Sequence, residues 1–169
     1  LEQSIPLTAQ PILSYVHLMD AARARGERTH LRELLDRGLV VEPGSLALTR
    51  KYMAMLGRPD ARDEFLAECR AARMPAATLN TLEAMVLTRR AQNLRYAKDE
   101  EGALALAQQA VALEPFADDL TMALREAASI LTRRGQDAAA LALLERASHA
   151  TPNDGAVHAG MATSLWRLG

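Results

Sequence analysis

The sequence is poor in cysteine, in aromatic residues and in net charge. Its single cysteine, Cys69, cannot form an intramolecular disulfide, and no Cys or His pair has the spacing of a zinc site. Aromatic residues make up only 4% of the chain, which disfavours β-structure because strands are enriched in aromatic and β-branched side chains. No apolar run approaches the roughly 20 residues that a membrane-spanning helix needs. A net charge of −1 argues against a dedicated nucleic-acid-binding protein.

The composition that remains is that of a helical globular protein. Hydrophobic residues make up 49% of the 169 residues and charged residues 24%, and Ala, Leu and Arg, which are good helix formers, recur throughout. We therefore predict an all-α domain that spans residues 1–169, in a soluble protein of the cytoplasm or periplasm. Arg outnumbers Lys by 18 to 2, a bias associated with GC-rich bacterial genomes. Because the sequence starts with Leu1 and stops at a turn-like Gly169, we expect it to be part of a longer chain.

Glycine and proline recur at a regular interval. Four turn positions, three of them glycine, are each followed by a proline 17 or 18 residues later. The turn positions are Gly26, Gly57, Lys98 and Gly135, and the prolines are Pro43, Pro75, Pro115 and Pro152. The interval between a turn and its proline is the length of one helix, so the pattern predicts a repeated helical segment.

The four segments share an internal pattern at 8, 9, 12 and 15 residues past the turn, spacings that lie on one face of a helix. The residues at offset 9 are Leu35, Leu66, Ala107 and Leu144, and those at offset 12 are the small Gly38, Cys69, Ala110 and Ala147. Offset 8 holds Leu34, Phe65, Leu106 and Leu143, and offset 15 holds Val41, Ala72, Leu113 and Ala150. We predict that this face is buried and that the small residues allow a neighbouring helix to approach closely.

Proline and acidic residues indicate where the helices begin. Together with the repeat they predict nine helices in antiparallel pairs. These lie near residues 8–25, 28–41, 45–56, 59–73, 75–97, 99–113, 118–134, 136–150 and 154–168.

At this spacing the chain resembles the tetratricopeptide repeat (TPR) family, whose unit is a helix pair of about 34 residues. The positions that match in order are Ala103, Ala110, Pro115, Leu124, Ala128, Leu131, Gly135, Ala140, Ala147, Pro152, Ala162, Leu165 and Gly169. The match is clear over residues 84–169 and degenerate over 8–75, where Leu31, Arg50 and Arg62 replace small residues. The resemblance implies a right-handed superhelical solenoid of stacked helix pairs.

The resemblance also implies a concave groove lined by the first helix of each pair. The predicted partner-binding residues are Arg23, Lys51, Gln92, Arg95, Tyr96, Arg125, Arg133 and Arg167. With Asp20 as the one acidic member of the set, the groove would be basic and would suit an acidic or C-terminal peptide. The alternative interpretation is that these arginines only solvate an Ala-rich helical surface. Some members of the family bind a carboxyl terminus with a set of Lys and Asn residues; of the residues at the corresponding positions here, only Arg89 has suitable chemistry, so this set is not present.

No catalytic constellation is found. His17, His30, His149 and His158 lie in different segments without a second ligand at metal-binding spacing. Cys69 occupies a small-residue position of the repeat, which indicates a packing role. No phosphate-binding glycine loop or nucleophile elbow is present, so neither a catalytic residue, a metal nor a cofactor is expected.

Three functional hypotheses follow from these patterns. The leading hypothesis is a non-catalytic scaffold that binds a protein or peptide, and the alternative is a regulatory or substrate-positioning module attached to a catalytic domain elsewhere. Binding of RNA along the basic residues is a third, weaker hypothesis.

The final helix carries Ala162, Leu165 and Trp166 on a face without a following helix, which predicts either self-association through this face or packing of Trp166 against a further repeat.

Overall fold

A computed structural model describes residues 11–169 of the chain. Helices account for all the regular secondary structure in this range. They are α1 (Pro11–Ala24), α2 (Arg28–Val41), α3 (Leu46–Met55), α4 (Pro59–Ala71), α5 (Ala76–Tyr96), α6 (Glu100–Ala112), α7 (Ala117–Arg133), α8 (Asp137–Ala150) and α9 (Gly155–Leu168). The chain divides into two compact units, the first ending at Leu82 and the second beginning at Glu83, within α5.

The all-α prediction is confirmed, and the predicted helices coincide with the observed ones to within a few residues at each end. The prediction that the first helix starts at residue 8 lies outside the described residues. Helices adjacent in sequence pack against each other, as α1 does with α2 in the first unit and α6, α7, α8 and α9 do in succession in the second. Within residues 11–169, every helix is too short or too polar to span a lipid bilayer.

Three of the predicted turns share one backbone geometry. Gly26, Lys98 and Gly135 have φ angles of 74°, 66° and 72°, in the left-handed region. In each turn the next residue donates its N–H to a carbonyl five residues back, as Asp99 does to Leu94 at 2.9 Å. This bond closes the end of the helix and satisfies a carbonyl that would otherwise lack a partner. Lys98 therefore occupies a position that favours glycine.

The turn at Gly57 is different, and its φ angle is not positive. Here Pro59 begins α4, and the preceding Arg58 is extended, with a ψ of 141°. A residue before proline is disfavoured in the helical region because its atoms clash with the proline ring. The proline thus imposes an extended connection where the other turns use a left-handed residue.

The first unit is held together by large side chains that are fully buried. Met19, Leu34, Leu35, Leu48 and Met53 are each at most 1% exposed. Gly38 of α2 lies so close to this cluster that an added Cβ would be 2.5 Å from Leu48 Cδ1 and 3.4 Å from Tyr15 Cγ. The small residue at offset 12 therefore allows α2 to pack closely against α1 and α3, as the repeat predicted.

The core of the second unit is richer in alanine. One cluster joins α7, α8 and α9 through buried residues, which are Leu124, Ala128, Leu131, Ala140, Leu144, Ala147 and Val157. Two smaller clusters bring α5, α6 and α7 together around Ala84, Ala110 and Ala123, and around Ala91, Ala107 and Ala127. Alanine at these contacts lets the helices approach closely, because interaxial distance depends on side-chain size.

The predicted buried face is confirmed at offsets 9 and 12, and its offset 8 residues are buried or half-buried. All eight residues at offsets 9 and 12 are buried. At offset 15, Leu113 and Ala150 are half-buried, but the prediction is wrong for Val41 and Ala72. Val41 is 50% exposed and Ala72 is also exposed. Helices α2 and α4 end at Val41 and Ala71, so these positions lie where the chain leaves the packed face.

Candidate functional site

A pocket of about 620 Å³ lies in the second unit. Its walls come from α5, α7 and α9, and Leu144 of α8 also contributes. The lining residues are Gln92, Arg95, Met122, Arg125, Glu126, Ala128, Ser129, Thr132, Arg133, Leu144, Ala156, Gly160 and Thr163. The volume falls within the range of about 300–1,000 Å³ that is typical of ligand sites.

The pocket brings together four of the predicted binding residues. Gln92 and Arg95 come from the last turns of α5, and Arg125 and Arg133 come from α7. These four residues are far apart in sequence, and the packing of α5 beside α7 places them around one cavity. The family resemblance, which implied groove positions on the first helix of each pair, therefore selected four residues that line one pocket of the second unit.

One face of α7 supplies most of the lining. Met122, Arg125, Ser129 and Arg133 follow at intervals of three or four residues, the spacing of one helical face. Met122, Ser129 and Arg133 are exposed. The pocket surface along α7 thus presents a thioether, a guanidinium, a hydroxyl and a second guanidinium in order.

Arg95 forms the most deeply buried ion pair of the pocket. Its Nε donates to Glu126 Oε1 at 2.6 Å, and the two side chains are 19% and 7% exposed. The hydrogen bond to Glu126 raises the pKa of the Arg95 guanidinium above its usual value, so Arg95 remains charged. The Arg95 guanidinium carbon also lies 4.8 Å from the centre of the Tyr96 ring, within cation–π range.

Arg125 contacts a carboxylate that has a second task. Its Nη1 lies 3.3 Å from Asp154 Oδ2, while Asp154 Oδ1 accepts the backbone N–H groups of Ala156 at 2.8 Å and Val157 at 3.2 Å. Asp154 is the N-cap of α9. Burial opposes ionisation of Asp154, but the two backbone N–H groups, with Arg125 and His158, hold the pKa of its carboxyl below the usual value.

Arg133 pairs with a carboxylate at the start of α6. Its Nε lies 3.1 Å from Glu100 Oε1, and the Nε of the neighbouring Arg134 lies 3.8 Å from Glu100 Oε2. The Arg133 side chain is 51% exposed. Two cations therefore share one carboxylate, and the positive charge of this end of the pocket is only partly neutralised.

The wall formed by α9 is smooth. It presents Ala156, Gly160 and Thr163, three small residues on one helical face. A Cβ added to Gly160 would lie 3.1 Å from Leu144 Cδ1 and 3.2 Å from its Cδ2. Glycine at this position thus allows α9 to approach α8 and leaves space in the pocket that a larger residue would fill.

The other predicted residues do not line this pocket. Tyr96 is 76% exposed at the end of α5. Arg167 of α9 lies beside the pocket, where its Nη1 donates to the carbonyl of Thr132 at 2.9 Å and is 3.7 Å from Asp137 Oδ1. Arg23 and Lys51 belong to the first unit, where Arg23 is exposed and Lys51 forms an ion pair with Asp20.

Sequence reasoning missed Glu126, which is a buried acid of the pocket. The prediction had the groove positions of the second unit carrying only cations, whereas Arg95, Arg125 and Arg133 each contact a carboxylate of the chain. One signal was available: Glu126 follows Arg125 in the middle of an otherwise Ala-rich stretch of α7, and a carboxylate among small apolar residues requires a cationic partner.

The described residues hold no group of three or more His, Cys, Asp or Glu side chains that could bind a metal ion. Cys69 is buried, and desolvation raises the pKa of its thiol to about 11.

The sequence matches no protein-family model, and no curated protein is significantly similar to it.

Proposed function

We propose that this chain is a TPR-like, non-catalytic interaction module that binds a peptide segment of a partner protein in the pocket of its second unit. The observation that carries the proposal is the convergence of Gln92, Arg95, Arg125 and Arg133 on a single pocket. A bacterial scaffold or assembly component would use such a module to hold its partner.

The chemistry of the pocket supports a peptide ligand. Gln92, Ser129 and Thr132 offer side-chain amide and hydroxyl groups, which can bond to a peptide backbone. Met122 and Leu144 offer apolar contacts, and methionine adapts to ligands of different shape. A cavity with a few polar groups and an apolar surface is the usual form of a binding site.

A steric block tests the proposal without changing the charge of the pocket. The chain would be immobilised and used to select binders from a library of displayed random dodecapeptides. The selected peptides would then be measured against Ser129→Trp, which places an indole in the pocket from an exposed position on α7, and against Ala142→Trp, which adds an indole at an exposed position on α8.

We expect Ser129→Trp to weaken binding at least tenfold and Ala142→Trp to leave it unchanged, with both variants as helical as the parent by far-UV circular dichroism. Equal binding by the two variants would place the interaction elsewhere on the chain. A selection that enriches no peptide would overturn the proposal.

A further inference from the structure

Two arginines of α7, the half-buried Arg125 and the exposed Arg133, present positive charges at a fixed distance along the pocket. We propose that the pocket selects an extended peptide segment that carries two acidic side chains four residues apart, one contacting Arg125 and the other Arg133. This inference rests on the proposed function, because it specifies which peptides the pocket prefers.

The pocket arginines differ in their availability to a ligand. Arg95 is engaged by Glu126 at 2.6 Å, and the Glu126 side chain is only 7% exposed. Arg125 and Arg133 are 40% and 51% exposed and contact their carboxylates at 3.3 and 3.1 Å. A guanidinium has five N–H donors, so these contacts leave donors of Arg125 and Arg133 available to solvent or a ligand.

The intramolecular carboxylates also have competing contacts. Asp154 accepts two backbone N–H groups at the start of α9, and Glu100 is shared between Arg133 and Arg134. A ligand carboxylate can therefore approach Arg125 or Arg133 without leaving either acid unpaired. By contrast, drawing Arg95 away would leave Glu126 as a buried charge, which is strongly unfavourable. Arg95 thus acts as a positioning residue for α5 and α7.

The spacing of the two available arginines sets the spacing of the ligand acids. Arg125 and Arg133 are eight residues apart on one helix, which corresponds to about 12 Å along its axis at about 1.5 Å per residue. An extended segment rises about 3.3 Å per residue, so about 12 Å corresponds to between three and four residues. Side chains alternate between the two faces of an extended segment, and only an even separation places both acids on the side of α7. Four residues satisfies both conditions.

The opposite wall favours an extended segment. Ala156, Gly160 and Thr163 present little side-chain bulk, so a backbone can lie close to α9. A helix with its side chains is about 10–12 Å wide, whereas an extended segment is narrower and can bring its backbone closer to these small residues of α9.

The inference is tested by the sequences that the pocket selects. A displayed library of random dodecapeptides would be selected in parallel on the parent chain, on Arg125→Gln/Arg133→Gln and on Arg28→Gln/Arg146→Gln. The last is a matched control, because it removes two exposed arginines that do not line the pocket. Glutamine is shorter than arginine, but it keeps a polar, uncharged end and does not oppose Asp154 or Glu100 with a new negative charge.

We expect the parent and the control to enrich peptides with Asp or Glu at positions four apart, and the pocket variant to lose this enrichment. Enriched peptides without such a pair, or with acids at the seven- or eight-residue spacing of a bound helix, would overturn the inference and leave the proposed function standing. Peptides that bind the parent and the pocket variant equally, and that Ser129→Trp does not block, would overturn both.

Double-mutant cycles with one selected peptide then show which arginine each of its two acidic side chains contacts. We expect replacement of either acid by its amide to lower affinity about tenfold, a change of about 1.4 kcal/mol. The loss should be largely absent when the opposing arginine is already Gln, and each acid should couple to only one of Arg125 and Arg133. Acids that couple to neither arginine, or both to the same one, would overturn the assignment.

Discussion

Arg95 of α5 and Glu126 of α7 form an ion pair in which the donor and acceptor atoms are 2.6 Å apart and the carboxylate is nearly buried. The pair joins two helices that both line the pocket. A charge-assisted hydrogen bond of this kind fixes geometry as well as contributing energy. It also means that Arg95 cannot be altered as if it were a surface residue.

Replacement of Arg95 by Gln is expected to destabilise the protein by about 2–3 kcal/mol, because it leaves the Glu126 carboxylate buried without a cation. The double variant Arg95→Gln/Glu126→Gln should recover most of this loss. Urea unfolding followed by circular dichroism measures both free energies. A single variant within about 0.5 kcal/mol of the parent would show that the pair behaves as an exposed one.

A second expectation concerns the left-handed turn at Lys98, whose φ is 66°. Lys98→Gly should stabilise the protein by about 0.5–1 kcal/mol, because glycine adopts this conformation without the steric cost that other residues incur. Gly135→Lys, at the equivalent turn with φ of 72°, is the reverse substitution and should destabilise by a similar amount. Unfolding midpoints in urea report both changes, and a shift of the same sign in the two variants would contradict the explanation.

The pKa of Asp154 lies below its usual value, so the stability that it contributes is present above the pKa of an unfolded Asp, about 3.9. This contribution is lost as the pH falls through the lower, folded value. Asp154→Asn, which can still cap α9, should lower Tm at pH 7 and have a smaller effect near pH 3. Asp154→Ala removes the cap as well and should lower Tm further at pH 7. Equal effects of Asn at the two pH values would show that the charge contributes nothing.

Burial of Cys69 raises the pKa of its thiol to about 11, and the native thiol should therefore react slowly with Ellman's reagent at pH 8. Labelling in urea should be faster by orders of magnitude, because the unfolded thiol is exposed and has an ordinary pKa. Between about pH 9 and pH 11 the folded state holds more protons at Cys69 than the unfolded state, so its contribution to stability falls as the pH rises. Cys69→Ala should lack this part of the alkaline loss.

The sequence predicted the helices because their signals are local. Leu35, Cys69 and Ala147 mark the buried face by spacing alone, and Pro59 and Gly135 mark boundaries through backbone geometry. These constraints act within one helix or turn, so they can be identified without knowing what packs where.

The site was only partly predictable, because its electrostatics depend on contacts between distant segments. The family resemblance placed Arg95 and Arg125 at groove positions, and both line the pocket, but their carboxylates, Glu126 and Asp154, lie 31 and 29 residues away from them in sequence. Counting the charges at groove positions does not reveal such pairs, because the carboxylates lie in other segments of the chain. It therefore overstated the free positive charge in the second unit and did not separate the engaged Arg95 from the more exposed arginines.

The smooth wall of the pocket belongs to a helix that packs mainly against a single neighbour, since α9 contacts α8 extensively and α7 only slightly. Local opening of α9 would take Ala156, Gly160 and Thr163 away from the pocket without unfolding α5 or α7. Peptide binding and the folding of α9 are therefore thermodynamically linked, and a bound peptide should slow amide hydrogen exchange along α9 more than along α6. The affinity of the pocket can then be tuned by substitutions on the α8 face of α9 that never touch the ligand.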